Sequence, residues 1–222
     1  MVTWMHAGHR RFRSRGPRVP AYIVVLCVEW PGLERLQELV AQEVGLSLGQ
    51  RFFPHITLCG PLSLQPGADI VALLDRAVRS LSLPRAVHPV DLHLFRGKRG
   101  LAVSLLLRED PALTAFARAV SNALVPFYKK CNAIDRPPSQ RILHVSVAVN
   151  LPRKKGEFLF SELSNPRGKL GREAERLFRE TPPRVTRMAL VRRGALWKGY
   201  DPFRKEWMGR GGLFGTGNAT ER

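Results

Sequence analysis

A short alternation of polar and apolar residues that begins at a histidine occurs twice in this chain, and no other feature restricts its fold as much. The first copy lies in Phe52-Phe53-Pro54-His55-Ile56-Thr57-Leu58-Cys59-Gly60, where strand geometry sets His55, Thr57 and Cys59 on one face and Ile56 and Leu58 on the other. The second is Ile142-Leu143-His144-Val145-Ser146-Val147-Ala148-Val149, with His144 and Ser146 on one face and Leu143, Val145, Val147 and Val149 opposite. Each copy therefore predicts a strand that is apolar behind and carries an imidazole and a hydroxyl in front.

The elements around the two strands also repeat. Ala21 to Val28 is a continuous apolar run suited to a strand covered on both faces. Leu33, Leu36, Val40 and Val44 recur at helical spacing and stop at Gly45. After the His55 strand, Asp69 caps a helix whose buried stripe is Ile70, Leu73, Leu74, Ala77, Val78 and Leu81, and residues 90–95 form a strand. The second half offers a strand over 101–107, a helix opened by Asp110-Pro111 with Leu113, Phe116, Val120 and Leu124 inward, and then the His144 strand. A basic insertion at 153–155, a weaker helix over 171–180 and a strand over 185–192 complete it. The order is strand, helix, His strand, helix, strand in both halves, with an offset that grows from about 80 to about 95 residues as loops lengthen. This reads as a degenerate internal duplication. It predicts an α+β, bilobal domain over 21–195, with lobes of roughly 21–98 and 99–195, open to an exchange of strands, facing a shared cleft.

Composition enters when a partner is sought. Lys and Arg outnumber Asp and Glu 36 to 18 in 222 residues, for a net charge of +18 and a pI near 11.2, which points to a polyanion, RNA or DNA ahead of a membrane surface. Residues 1–20 hold five arginines and no acid and read as a flexible basic arm; a phosphate-tracking role, a transit sequence and an extended start all suit it. No apolar run is long enough to span a bilayer and no secretory signal is evident, so a cytoplasmic, intracellular and reducing location with no membrane association is expected. Cys27, Cys59 and Cys131, odd in number and widely spaced, fit neither a disulfide framework nor a closed zinc site.

The chemistry follows from the pair. Imidazole has its unperturbed pKa nearest neutrality, so two that face one another can divide the roles of general base and general acid. Cleavage of a phosphodiester needs that division, and a hydroxyl two residues along each strand can donate to a non-bridging phosphate oxygen. No cofactor is called for, and His-x-Thr is not metal-ligand spacing, so no metal site is expected.

His55-Ile56-Thr57-Leu58 and His144-Val145-Ser146-Val147 each resemble the His-x-Thr/Ser-hydrophobic signature of the 2H phosphoesterase superfamily. The context Pro54-His55-Ile56-Thr57-Leu58-Cys59-Gly60-Pro61 is similar to its branch of 2′-5′ RNA ligases and RNA 2′,3′-cyclic phosphodiesterases. One such motif specifies only two residues, but two in corresponding places of a duplicated unit are a specific signal. The resemblance covers about residues 21–195. It implies a pseudo-two-fold fold of mainly antiparallel sheets flanking a central cleft, with helices outside, and metal-independent chemistry on RNA ends or small nucleotides with cyclic or 2′-linked phosphates. The implied activity is hydrolysis of 2′,3′-cyclic phosphates to 2′-phosphate ends, with 2′-5′ ligation or cleavage beside it. Carried over, His55 and His144 become the acid/base pair and Thr57 and Ser146 the phosphate-oxygen donors. The family's usual assignment makes His144 the base for hydrolysis and His55 the acid; ligation exchanges them. Ser146, in place of Thr, lacks a methyl group that would orient its hydroxyl.

Around the expected cleft, further substrate-binding candidates are Arg96, Lys98 and Arg99 in the turn after the 90–95 strand, Tyr128 before the second motif, Phe53 beside the first, and Trp197 and Tyr200 in a basic, aromatic tail over 196–222. Each has a solvated-loop or packing explanation of equal simplicity. His88 and His93 stand outside any motif and receive no role, and Cys59 reads as a packing residue on the His55 face. The protein is expected to act as a monomer. The alternative to an enzyme is a non-catalytic RNA or nucleotide-binding module using the same cleft; a structural protein of an RNA–protein particle rests on charge alone and leaves the paired motifs unexplained.

Overall fold

The run Tyr22-Ile23-Val24-Val25-Leu26-Cys27-Val28-Glu29 has the β-branched density of a fully covered strand, and in the computed structural model it is β1 (Tyr22–Glu29), deep in a nine-stranded sheet. The structure describes residues 22–46, 53–97, 99–131, 142–192, 195–201 and 204–209. The remaining strands are β2 (His55–Leu64), β3 (Pro89–Gly97), β4 (Gly100–Leu107), β5 (Tyr128–Cys131), β6 (His144–Leu151), β7 (Arg184–Arg192), β8 (Ala195–Asp201) and β9 (Glu206–Gly209). Their order is β3-β4-β6-β2-β1-β7-β8-β9, with β5 beside the far end of β2, and every pair is antiparallel. The expected α+β, antiparallel architecture is therefore what forms.

Among the described residues five α-helices connect the strands: α1 (Pro31–Val44), α2 (Ile70–Val78), α3 (Pro111–Leu124), α4 (Arg153–Ser164) and α5 (Lys169–Glu180). The expected signals set their ends. Gly45 closes α1 in the left-handed region at φ 64°, Asp69 accepts from the backbone N–H of Val71 and Ala72, and Asp110 accepts from that of Leu113. The buried helical residues, Leu33, Leu36 and Val40 of α1 through Leu170, Ala174 and Leu177 of α5, join one core with Val24, Leu26, Ile56, Leu58, Val145, Val147, Met188 and Leu190. On the opposite face of the sheet Val25, Cys27 and Ala189 form a small separate cluster that, among the described residues, no helix enters. The helices thus lie on one side, and the other side is left for a site. Among the described residues no helix is long and apolar enough to cross a membrane.

The pairing does not follow the halves of the sequence. β3, from the first half, pairs with β4, and β7, from the second, pairs with β1. Exchanging β1 with β4, β2 with β6 and β3 with β7 reverses the six-strand order β3-β4-β6-β2-β1-β7, which is the relation a pseudo-two-fold axis between β2 and β6 would impose.

Three expectations are corrected. The basic insertion at 153–155 is the first turn of α4, whose inward residues Gly156 and Leu159 were too few to signal a helix; a Cβ on Gly156 would lie 2.7 Å from that of Leu101, so the glycine lets α4 sit directly on β4. Residues 195–201 and 206–209 are not part of a tail but strands, β8 and β9, which pair and extend the sheet beyond β7. The stretch between α3 and the His144 strand, to which the sequence assigned no element, contains β5, and residues 132–141, like the basic arm at 1–20, lie outside the described residues.

Candidate active site

The two histidine strands are neighbours. β2 and β6 run antiparallel and meet at the pair Ile56↔Val145, both fully buried on the helix side. Antiparallel pairing about that point brings His55 alongside Ser146 and Thr57 alongside His144 on the helix-free face. The two motifs thus interleave crosswise, each hydroxyl next to the other motif's imidazole.

Burial runs identically along both strands. The eight residues from His55 and the eight from His144 share one sequence of buried, partly buried and exposed positions, with all four motif side chains partly buried. In each the alternation breaks three residues after the histidine. Val24 pairs with Cys59 and Val25 with Thr57, and likewise Val103 pairs with Ala148 and Ser104 with Ser146, so each strand carries one extra residue at the same place. Leu58 and Cys59 are consequently both buried, as are Val147 and Ala148. Cys59 therefore turns into the main core rather than sharing the His55 face, which strict alternation did not foresee. Gly60, in the turned segment at φ 108°, lies where a Cβ would come within 2.5 Å of the Tyr22 carbonyl oxygen. Only glycine allows β1 so close.

Both imidazoles are held in the same way. The Nδ1 of His55 is 2.8 Å from the Phe53 carbonyl oxygen, and that of His144 is 2.9 Å from the Ile142 carbonyl oxygen. A carbonyl only accepts, so Nδ1 carries hydrogen in each ring and Nε2 is the nitrogen left to exchange a proton with a substrate. An aromatic ring braces each: Phe53 lies 5.0 Å from His55 and Phe95 of β3 4.6 Å from His144, centroid to centroid. Burial lowers the pKa of both imidazoles below the ordinary 6.5, the backbone hydrogen bonds oppose that, and positive charge on His144 lowers His55 further. His93 does the same to His144.

The structure supplies neighbours that the sequence reading passed over. Ser104 of β4 is fully buried directly across from Ser146, and their hydroxyl oxygens are 3.0 Å apart. If Ser146 donates to a substrate oxygen, Ser104 donates to Ser146, and the chain of two polarises the outer hydroxyl. Gln37 of α1, also buried, reaches through the core with its amide nitrogen 3.3 and 3.1 Å from the carbonyl oxygens of Ser146 and Val147. It satisfies strand carbonyls beside the single β2–β6 pair and so holds the second motif in place. His93 and Phe95 lie on the site face of β3, their rings 4.5 Å apart. Two of these carried a visible signal: Gln37 stands four residues after Leu33 on the inward stripe of α1, and Ser104 interrupts Leu101 to Leu107. A polar residue at a core-periodic position needs a buried partner.

The other expected residues disperse. Phe53 is 41% exposed at the rim and is the one brought to the histidines. Arg96 alternates with Phe95 and so leaves the sheet on the helix side, while Arg99 is exposed in the β3–β4 turn. Tyr128 pairs with Leu64, at the other end of β2 from His55. Tyr200 is 5% exposed, packed on Trp207 and into the core. Lys98 lies outside the described residues, as does the side chain of Trp197 in β8. Among the described residues no group of three or more His, Cys, Asp or Glu could hold a metal ion.

A family model described as the 2′-5′ RNA ligase superfamily matches residues 28–196. Among solved structures, Usb1 of Kluyveromyces marxianus is similar with a TM-score of 0.48 at 13% identity, over 79% of this chain and 95% of that one. The same yeast protein with uridine monophosphate gives 0.45 at 12% identity, over 77% and 92%. No curated protein matches the chain.

Proposed function

Because this chain belongs to the 2′-5′ RNA ligase superfamily, we propose that it is a phosphodiesterase that opens 2′,3′-cyclic phosphates on RNA ends or small nucleotides to 2′-phosphates, with a 5′-hydroxyl in place of water giving 2′-5′ ligation. The observation that carries the reading is the crosswise pairing of His55-Ile56-Thr57 with His144-Val145-Ser146 on a helix-free sheet face. Two imidazoles and two hydroxyls around one point match the needs of a single phosphate: a proton acceptor, a proton donor, and donors for the non-bridging oxygens.

In this reading the phosphate lies over the β2–β6 seam. His144 Nε2 takes the proton of the attacking water as its oxygen bonds to phosphorus. The P–O3′ bond breaks, and His55 Nε2 delivers its proton to O3′, leaving a 2′-phosphate and a 3′-hydroxyl. Thr57 and Ser146, the latter backed by Ser104, donate to the non-bridging oxygens as charge builds there. Only the protein's own groups are used, so turnover persists in EDTA. The buried thiols of Cys27 and Cys59 suit the proposed reducing, intracellular setting, and the protein is taken to act as a monomer.

The test is hydrolysis of a nucleoside 2′,3′-cyclic phosphate by purified protein in EDTA, followed by His55→Ala and His144→Ala. Each is expected to lose about 10²–10⁴-fold in rate. Full activity in either variant ends the acid/base assignment, whereas salt-sensitive RNA binding that is indifferent to both substitutions, without turnover, supports a binding module.

A further inference from the structure

The sheet face around the seam is electrically lopsided. Cys27 pairs with His55 on one side and with Arg187 of β7 on the other, so Arg187, Cys27 and His55 form one row across three strands on the helix-free face. The guanidinium donates to the Cys27 sulfur, and its charge offsets part of the burial that pushes the thiol pKa up. That contact brings it to β1, the strand that lies between β7 and β2. In the pseudo-two-fold-related row, Leu106 pairs with His144 and with Asp91 of β3. A cation on the His55 side answers to a carboxylate on the His144 side.

We propose that Arg187 binds the phosphate next to the reacting one, so that the enzyme takes the cyclic end of an RNA strand in preference to a mononucleotide, with the strand leading away over β1. This rests on the reading of the seam as the reaction centre. Neighbouring strands are roughly 4.8 Å apart, so a guanidinium above β1 stands about 7 Å from the middle of the seam, close to the separation of successive phosphates in a single strand. A guanidinium can grip phosphate through two parallel hydrogen bonds. Asp91 repels phosphate on the other side, which gives the strand one direction of entry.

The experiment compares uridine 2′,3′-cyclic phosphate with the uridine dinucleotide bearing the same cyclic end, which adds one phosphodiester, in the wild type and Arg187→Gln. The wild type should favour the dinucleotide in kcat/KM, and Arg187→Gln should cut that ratio by about tenfold, mainly through KM. Arg187→Lys should restore part of it. The salt dependence of binding to a single-stranded oligonucleotide should lose about 0.7 from its log–log slope, the share of one phosphate contact. An unaltered substrate ratio and an unaltered slope overturn the proposal, as does an equal loss on both substrates, the mark of a structural role. If the wild type turns over neither substrate, the hydrolase reading fails while the slope still decides Arg187.

Discussion

At the scale of single residues, the site's asymmetry lies in what supports the hydroxyls and rings. Ser146 has a buried Ser104 behind it, whereas the residue across from Thr57 is Val25. Ser146→Ala is expected to lower kcat by about 10²–10³-fold, the usual cost of a transition-state donor. Ser104→Ala should cost less in kcat and leave KM nearly unchanged, because it acts on charge that appears only as the bond breaks; steady-state kinetics on one substrate separates the two. Phe95 and Phe53 brace the imidazoles without exchanging protons, so Phe95→Leu should weaken activity while the shape of the pH profile is retained.

The elements carry a second set of dependences, because a helix on one face holds a strand whose chemistry is on the other. Gln37→Leu removes the amide that α1 sends to the Ser146 and Val147 carbonyls and leaves buried acceptors unpaired, at about 1–3 kcal/mol. Chemical denaturation should read that loss, and activity measured well below the new midpoint should still fall, because the second motif is no longer pinned beside the first. Gly60→Ala tests the close approach of β1 to β2: its φ of 108° and the Tyr22 carbonyl leave no place for a methyl, and a destabilisation of about 1–3 kcal/mol is expected. The corresponding position in β6 is Val149, so the two halves differ here although their burial is the same.

For the whole molecule, the two imidazoles couple activity and stability to pH. Both pKa values lie below 6.5 in the folded protein, so the maximum of kcat/KM should fall on the acid side of pH 6.5, with activity declining as the acid partner deprotonates toward neutrality. Below pH 6.5 the unfolded chain binds these protons more readily than the folded one. Stability should therefore be complete above pH 6.5 and fall as pH drops toward the folded-state pKa values. Thermal unfolding between pH 7 and pH 5 should show that slope, and His55→Gln with His144→Gln should flatten it. The sequence by itself determined the local units: alternation marked both motif strands, Asp69 and Asp110 marked helix starts, and the matched order of elements marked the duplication. Those are signals written within a dozen residues, in the period of a side-chain pattern or the chemistry of a cap. Only the tertiary structure decided that β3 and β7 change partners between the halves, that α4, β8 and β9 exist, that the motifs interleave at Ile56↔Val145, and that Gln37, Ser104, Phe95 and Arg187 surround them. Strand partners are chosen by the summed burial of a whole sheet, and these partners stand far apart in sequence, Ser104 from Ser146, Ile56 from Val145 and Tyr22 from Arg192, where no local period reaches.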